Sequence, residues 1–199
     1  MQPDLKRRLR AVPAITTLCG VLLLAACATT DETAPRQYLD EHTAATVTVG
    51  AGGLAFARSR TEYAVNARDY FSIVPVDVNR GGTHVLYLYC YIWSTIDRPA
   101  GVAEKPAMFE LVADGRQIPL KQVDTPLRTL GFGEIPVPTP ANNSQPLVSV
   151  TDREVLQFLV RAQALSLVAT RDDLSERYDL WTDQRGTIEE FLHGGVAGR

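Results

Sequence analysis

The sequence predicts a mainly β protein, an antiparallel β-sandwich of the immunoglobulin-like kind with one or two short helices packed on it. Two observations carry this prediction. Between residues 45 and 182, short apolar runs alternate with turn signals, as in all-β domains of seven or so strands. In addition, the run 84–95 is apolar on both faces, which is typical of a central strand that has a core on one side and a cover on the other.

Four apolar runs pair into two predicted hairpins, each around a turn that contains glycine. The first hairpin joins residues 45–49 to residues 54–57, and the second joins residues 70–78 to residues 84–95. Pro75 interrupts the second hairpin and cannot donate a ladder hydrogen bond. We therefore expect its strand to lie nearer an edge of the sheet or to carry a bulge there.

The pair Asp114-Gly115, which favours a tight turn, predicts a third hairpin between residues 108–113 and 117–120. The next long segment, residues 131–146, contains four prolines. Because proline is excluded from the middle of a sheet, this segment is predicted to be an exposed, extended loop.

The carboxy-terminal part of the chain mixes helix and strand signals. Thr151 and Glu154 have the spacing of a capping box and precede apolar residues at helical intervals, which predicts a helix over 152–162. Residues 164–170 and 178–182 return to strand character. One last helical turn is predicted to close the domain.

The amino terminus predicts a targeting signal. A basic start is followed by an apolar segment, residues 11–26, that is too short to span a bilayer stably as a helix. The segment ends in Leu24-Ala25-Ala26-Cys27, which resembles the lipobox of bacterial lipoproteins. The resemblance implies that the Cys27 thiol is acylated, that the chain is cut before Cys27, and that the lipid holds the protein on a membrane. It further implies the outer membrane, because Ala28 stands where aspartate would favour retention in the inner membrane.

We therefore divide the chain into four parts: a signal peptide (1–26), a lipidated flexible tether (27–37), a single β-sandwich domain (38–194) and a disordered tail (195–199). The whole sequence has 20 basic and 23 acidic residues, and residues 1–26 hold four of the basic and one of the acidic ones. The remainder thus has 16 against 22, a formal charge of −6. This balance argues against a nucleic-acid partner, which requires clustered basic groups.

Beyond residue 27 the chain resembles uncharacterised lipoproteins of Gram-negative bacteria. The segments that carry the resemblance are Tyr38-Leu39-Asp40, Phe56-Ala57-Arg58, Asn66-Ala67-Arg68-Asp69-Tyr70 and Trp93-Ser94-Thr95. The resemblance implies a location in the cell envelope, facing the periplasm, and implies no particular activity.

The sequence contains no arrangement typical of catalysis, of a metal centre or of a cofactor site, so we expect none of the three. Its histidines, His42, His84 and His193, lie far apart and have no second ligand at metal-binding spacing. Once Cys27 carries the lipid, Cys90 is the single cysteine after it and is expected to be a small buried hydrophobe.

One face of the run 84–95 is a ladder of aromatic residues, Tyr87, Tyr89, Tyr91 and Trp93. The favoured interpretation is that this face is packed, with the helix 152–162 as its cover. The alternative is a binding face for a glycan or a protein, because rings with polar tips bury much area at low entropic cost.

Three hypotheses for function follow, in this order. The first is a non-catalytic structural or assembly protein of the envelope, with a protein partner there. The second is a module that binds a glycan or another small ligand, and the third is an enzyme with an unrecognised site.

Overall fold

The computed structural model describes residues 33–96 and 108–194, and all of them belong to one structural unit. Strands dominate it: β1 (Arg36–Asp40), β2 (Ala45–Val49), β3 (Leu54–Ser59), β4 (Arg68–Arg80), β5 (Thr83–Ser94), β6 (Met108–Ala113), β7 (Arg116–Leu120), β8 (Gln145–Thr151), β9 (Leu165–Arg171) and β10 (Leu174–Asp183). The helices are α1 (Leu127–Leu130), α2 (Arg153–Arg161) and α3 (Arg185–Gly194). The predicted fold class, mainly β with short helices, is confirmed.

The long hairpin of β4 and β5 lies at the centre of the sheet. The two strands pair along their whole length, from Asp69 opposite Ser94 to Arg80 opposite Thr83. Their connection is a two-residue turn of glycines with positive φ angles, a conformation that glycine adopts without steric cost. The other edge of β5 pairs with β8, so β5 is the central strand that its two apolar faces predict.

The other edge of β4 is shared by two strands. Its first half pairs with β3 and its second half with β2, and Pro75 lies where the neighbour changes. The Pro75 carbonyl accepts a hydrogen bond from the Gly50 N–H at 2.9 Å. The backbone N and O of a residue in an antiparallel strand point to the same side, so the Pro75 nitrogen faces the gap between β3 and β2. No strand residue needs an N–H donor at that position, and the proline breaks no hydrogen bond of the sheet. Pro75 therefore occupies a central strand, and the expectation that it marks an edge is wrong.

From β3 the pairing continues through β10, β9 and β6 to β7, with all neighbours antiparallel. After β7, Gln122 forms a bridge with Ser149 of β8, which brings the chain back to the other side of the central hairpin. The sheet thus curls round on itself. Phe71 of β4 and Phe109 of β6 meet across the interior with ring centroids 4.8 Å apart, so two parts of one sheet face each other as in a sandwich.

The interior of the curled sheet is a hydrophobic cluster that we call the inner core. It receives residues from α2 and α3 as well as from eight strands; its fully buried members include Phe56, Phe71, Ile73, Leu88, Cys90, Leu111, Leu156, Leu159, Leu167, Ile188 and Phe191. Apolar burial on this scale is the main favourable term of folding, at about 25 cal/mol per Å².

A second cluster, the outer core, lies on the opposite face of β4, β5 and β8. It contains apolar residues of β2 and the central hairpin, covered by the segment between β7 and β8; its buried members are Ala45, Val47, Val49, Val76, Val78, Tyr87, Tyr89, Tyr91, Phe132, Val137 and Val148. The central hairpin therefore separates two hydrophobic cores.

Several predicted boundaries were wrong in ways that have a physical reason. β1 begins at Arg36, two residues inside the predicted tether, because pairing with β2 satisfies its backbone. The strand β8 contains Pro146 and begins inside the predicted loop. The cap of α2 is Asp152 instead of Thr151, because the Asp152 carboxylate accepts the Val155 N–H at 2.7 Å.

The described residues contain three helices, where one or two were expected. Within residues 33–96 and 108–194, no helix has the length and apolar character needed to cross a membrane.

Candidate functional site

The predicted lipidation motif, Leu24-Ala25-Ala26-Cys27, lies outside the described residues, as does the predicted tail 195–199. Among the other predicted site residues, the structure separates the aromatic ladder into two parts. Tyr87, Tyr89 and Tyr91 are buried in the outer core, with exposed fractions of 5%, 0% and 2%. They pack there and form no open binding face, which corrects the alternative interpretation of the ladder.

The cover over these three tyrosines also differs from the predicted one. Phe132, on the segment between β7 and β8, makes edge-on ring contacts with Tyr87 and Tyr89, at centroid distances of 5.5 and 6.1 Å. The Tyr91 hydroxyl donates a hydrogen bond to the Val137 carbonyl at 2.8 Å. The helix α2 packs in the inner core instead, on the opposite face of the sheet.

Trp93, the last residue of the ladder, is only partly buried; it packs against the outer core and also joins a further group of rings. It stacks on Tyr70 with ring centroids 5.1 Å apart and an interplanar angle of 12°. Tyr70 also contacts Trp181 at 6.2 Å in an edge-on arrangement. The Arg68 guanidinium lies 4.8 Å from the centre of the Trp181 ring. We call Arg68, Tyr70, Trp93 and Trp181 the aromatic patch.

The strand register explains why these side chains meet. Trp93 is opposite Tyr70, Tyr70 is opposite Ala57, and Ala57 is opposite Asp179, so one row crosses four strands on the same face. Ala57 has a small side chain and leaves room above β3. A register shift between Leu180 and Thr182 then makes Trp181 an extra residue of β10. Such a bulge can re-aim a side chain, and here the Trp181 ring reaches Tyr70 across β3.

The aromatic patch is accessible and carries charge. Trp181 is 57% exposed, while Tyr70, Trp93 and Arg68 are partly buried. No carboxylate of the described residues pairs with the Arg68 guanidinium, which lies over the Trp181 ring. By contrast, Arg177, on the same strand as Trp181, is paired with Asp179 at 3.1 Å.

The sequence contained a signal for Trp181 that our reasoning missed. With a period of two along β10, Tyr178 and Leu180 lie on one face and Arg177, Asp179 and Trp181 on the other. A tryptophan on an otherwise charged strand face is a candidate contact residue. The contact with Tyr70 could not be foreseen, because it depends on the pairing of β10 with β3.

Two other polar groups are buried close to the sheet. Asp77, 1% exposed, has its Oδ2 atom 2.8 Å from Nδ1 of His84. Burial raises the pKa of Asp77, and the hydrogen bond with His84 opposes this in part. Cys90 is fully buried, and burial raises the pKa of its thiol above the ordinary value. A raised thiol pKa is typical of an inert structural cysteine.

Asp40 holds the cover of the outer core in place. Its carboxylate accepts backbone N–H groups from His42 at 3.0 Å, Thr43 at 3.1 Å and Gly133 at 2.6 Å. Burial alone would raise the pKa of Asp40, but these hydrogen bonds, led by that of Gly133, lower it overall. The Gly133 bond ties β1 to the segment that contains Phe132.

Among the residues that the structure describes, no three His, Cys, Asp or Glu side chains come together as a metal ion would require. No protein-family model, no curated protein and no solved structure matches the chain.

Proposed function

We propose that the protein is a lipid-anchored protein of the outer membrane, facing the periplasm, with a non-catalytic structural or assembly role. The observation that carries the proposal is the motif Leu24-Ala25-Ala26-Cys27 after a basic start and a short apolar segment. Acyl chains contribute about 0.8 kcal/mol per buried methylene, so two or more of them would hold the domain firmly at a membrane.

The position of β1 is consistent with this anchor. Eight residues, 28–35, lie between Cys27 and Arg36, the first residue of β1, so the two are nine chain steps apart. An extended chain spans at most 3.3–3.6 Å per residue, so the folded part would lie within roughly 30 Å of the lipid. A tether of this length would present the domain to partners at the membrane surface.

The edge of β1 supports an assembly role. Within the described part of the chain, β1 pairs with β2 alone, so its other edge has backbone groups available to a partner strand. Leu39 on β1 is 65% exposed. An exposed apolar residue on a free strand edge is the kind of surface on which a partner protein adds a strand.

The anchor is tested by replacement of Cys27 with alanine in cells fed an alkyne-bearing fatty acid. We expect the wild-type protein to incorporate the label and to sediment with the outer membrane, whereas Cys27→Ala loses the label and leaves the membrane fraction or stays uncleaved. Cys19→Ala is the matched control and should behave as wild type, because Cys19 would leave with the signal peptide. Labelling of Cys27→Ala at the wild-type level would refute the proposal.

The assembly role is tested with a photo-crosslinking residue at position 39. We expect it to capture one stoichiometric envelope protein in cells, while the same residue at Glu189, exposed on α3, captures none. If position 39 yields no adduct, or the same set of adducts as position 189, the edge of β1 is not a docking edge.

A further inference from the structure

We propose that the aromatic patch is a binding site for an acidic saccharide, a sugar whose ring carries a carboxylate. This inference goes beyond the proposed anchor and does not depend on it, because the patch belongs to the folded part of the chain. It rests on the accessible rings, on the charge of Arg68 and on the small size of the patch.

The rings supply the first part of the argument. Trp181 is 57% exposed, and its ring contacts the Tyr70 ring and the Arg68 guanidinium. Trp93 in turn stacks on Tyr70. The C–H groups of a pyranose pack on aromatic rings, and rings that are already held lose little entropy when a ligand binds.

The charge of Arg68 indicates the sign of the ligand. Arg60 and Arg177 nearby are neutralised by carboxylates, Asp69 at 2.8 Å and Asp179 at 3.1 Å respectively. The Arg68 guanidinium has no such partner within the described residues. A guanidinium binds a carboxylate through two parallel hydrogen bonds, so a uronic acid that stacks on Trp181 would place its charged group where Arg68 can reach it.

The size of the patch favours a saccharide over a protein. A stable protein interface covers about 800 Å² on each partner and has an apolar centre. Here two of the three rings are partly buried, and the row ends at the exposed ion pair of Arg177 and Asp179. At this end the apolar surface therefore gives way to charged groups, which can meet the hydroxyls of a sugar.

The chain offers a direct optical test, because its two tryptophans, Trp93 and Trp181, both lie in the patch. The full chain, purified in detergent, is titrated with tetragalacturonate while tryptophan emission is followed. We expect a saturable change in emission. The neutral galactose tetramer should bind about tenfold more weakly, equivalent to about 1.4 kcal/mol, because it lacks the carboxylates. A tetraglutamate peptide, which has the charge without the sugar ring, should also bind about tenfold more weakly.

Variants separate the contribution of ring stacking from that of the Arg68 charge. Binding is measured by calorimetry, because one of the variants lacks a tryptophan. Trp181→Ala should weaken binding of tetragalacturonate about tenfold, while Arg68→Gln should abolish the preference for the acidic over the neutral tetramer. Leu174→Ala is the matched control: Leu174 lies on the same strand and is 72% exposed, and its loss should leave binding unchanged. Thermal unfolding of each variant confirms that it is folded.

Three results would overturn the proposal. The first is no binding of tetragalacturonate at about 10 mM, beyond the range of a specific weak site. The second is equal binding of the peptide, which would make the patch a docking site for an acidic protein. The third is equal loss in Trp181→Ala and Leu174→Ala. Because Cys27→Ala should bind as well as wild type, failure of the anchor and failure of the saccharide site are distinguishable.

Discussion

Replacement of Asp40 should destabilise the fold by weakening the attachment of the cover to the outer core. The Asp40 carboxylate is 4% exposed and holds three backbone N–H groups, of which Gly133 is 93 residues away in the chain. The other two, on His42 and Thr43, belong to the turn that follows β1. Asp40→Ala removes all three acceptors at once, and Asp40→Asn keeps the shape but removes the charge.

The expected loss in free energy of unfolding is the sum of the contributions of the three hydrogen bonds. A hydrogen bond to a charged group contributes about 1.5–3 kcal/mol, and we assign this to the buried, long-range bond from Gly133. The two turn bonds can be replaced by water and contribute roughly 0.5 kcal/mol each. We therefore expect Asp40→Ala to lower the free energy of unfolding by about 3 kcal/mol, and Asp40→Asn by about half of that, since one amide oxygen still accepts.

The same contribution depends on pH. The pKa of Asp40 in the folded protein is lower than the ordinary value of 3.8. Stabilisation by a carboxylate of this kind is complete above about pH 5 and is lost as the pH falls through the folded pKa, because protonation removes the charge that the N–H groups bind. The difference between wild type and Asp40→Asn should thus shrink below about pH 4.

Urea unfolding followed by circular dichroism, at several pH values between 3 and 7, measures both effects. Glu41→Gln is the matched control, because Glu41 is the next residue and is exposed. The reasoning is refuted if Asp40→Ala and Glu41→Gln unfold at the same urea concentration at neutral pH, or if the difference for Asp40→Asn grows as the pH is lowered.

Three further predictions concern single contacts. Gly53→Ala should lower the free energy of unfolding by about 2 kcal/mol or more, because its Cβ would collide with a carbonyl oxygen of β4. Gly186→Ala, where a Cβ meets nothing, should not lower the melting temperature, and a drop equal to that of Gly53→Ala would contradict this. Asp152→Ala should cost about 1 kcal/mol as the loss of a helix cap, measured by thermal unfolding, whereas Thr151→Ala should cost clearly less. Cys90 should react with a thiol reagent only at the rate of unfolding, and rapid modification of the folded protein would show that the inner core opens locally.

The strand positions were predictable wherever the local sequence decides them, but the predicted hairpin of residues 45–49 with 54–57 is wrong, because β2 and β3 both pair with β4 instead of with each other. The two apolar faces of residues 84–95 predicted a central strand, and β5 is central because both of its faces are buried. The turn at Asp114-Gly115 was predicted equally clearly by this pair of residues. In the structure both have positive φ angles, 46° and 82°, as a tight turn requires. In both cases the deciding information lies within about a dozen residues.

Contacts between distant segments were not predictable from these patterns. The helix α2 has an apolar face, but nothing in its sequence distinguishes the inner core from the outer core. The strand β8 was missed because Pro146 indicates a loop, yet Pro146 is only the second residue of that strand, where a proline is tolerated. The aromatic patch depends on the pairing of β3 with β10, more than 100 residues apart, and on a bulge that no local signal marks.

The position of the β4–β5 hairpin between the two cores has a consequence for how the protein comes apart. Phe71 of β4 contributes to the inner core and Val78 of the same strand to the outer core. Neither core can open widely without breaking the backbone ladder that the other one needs, so the two should melt in a single cooperative transition. Amide protons in the middle of β5 should then exchange with solvent only through global unfolding, and they should be among the slowest to exchange in the molecule.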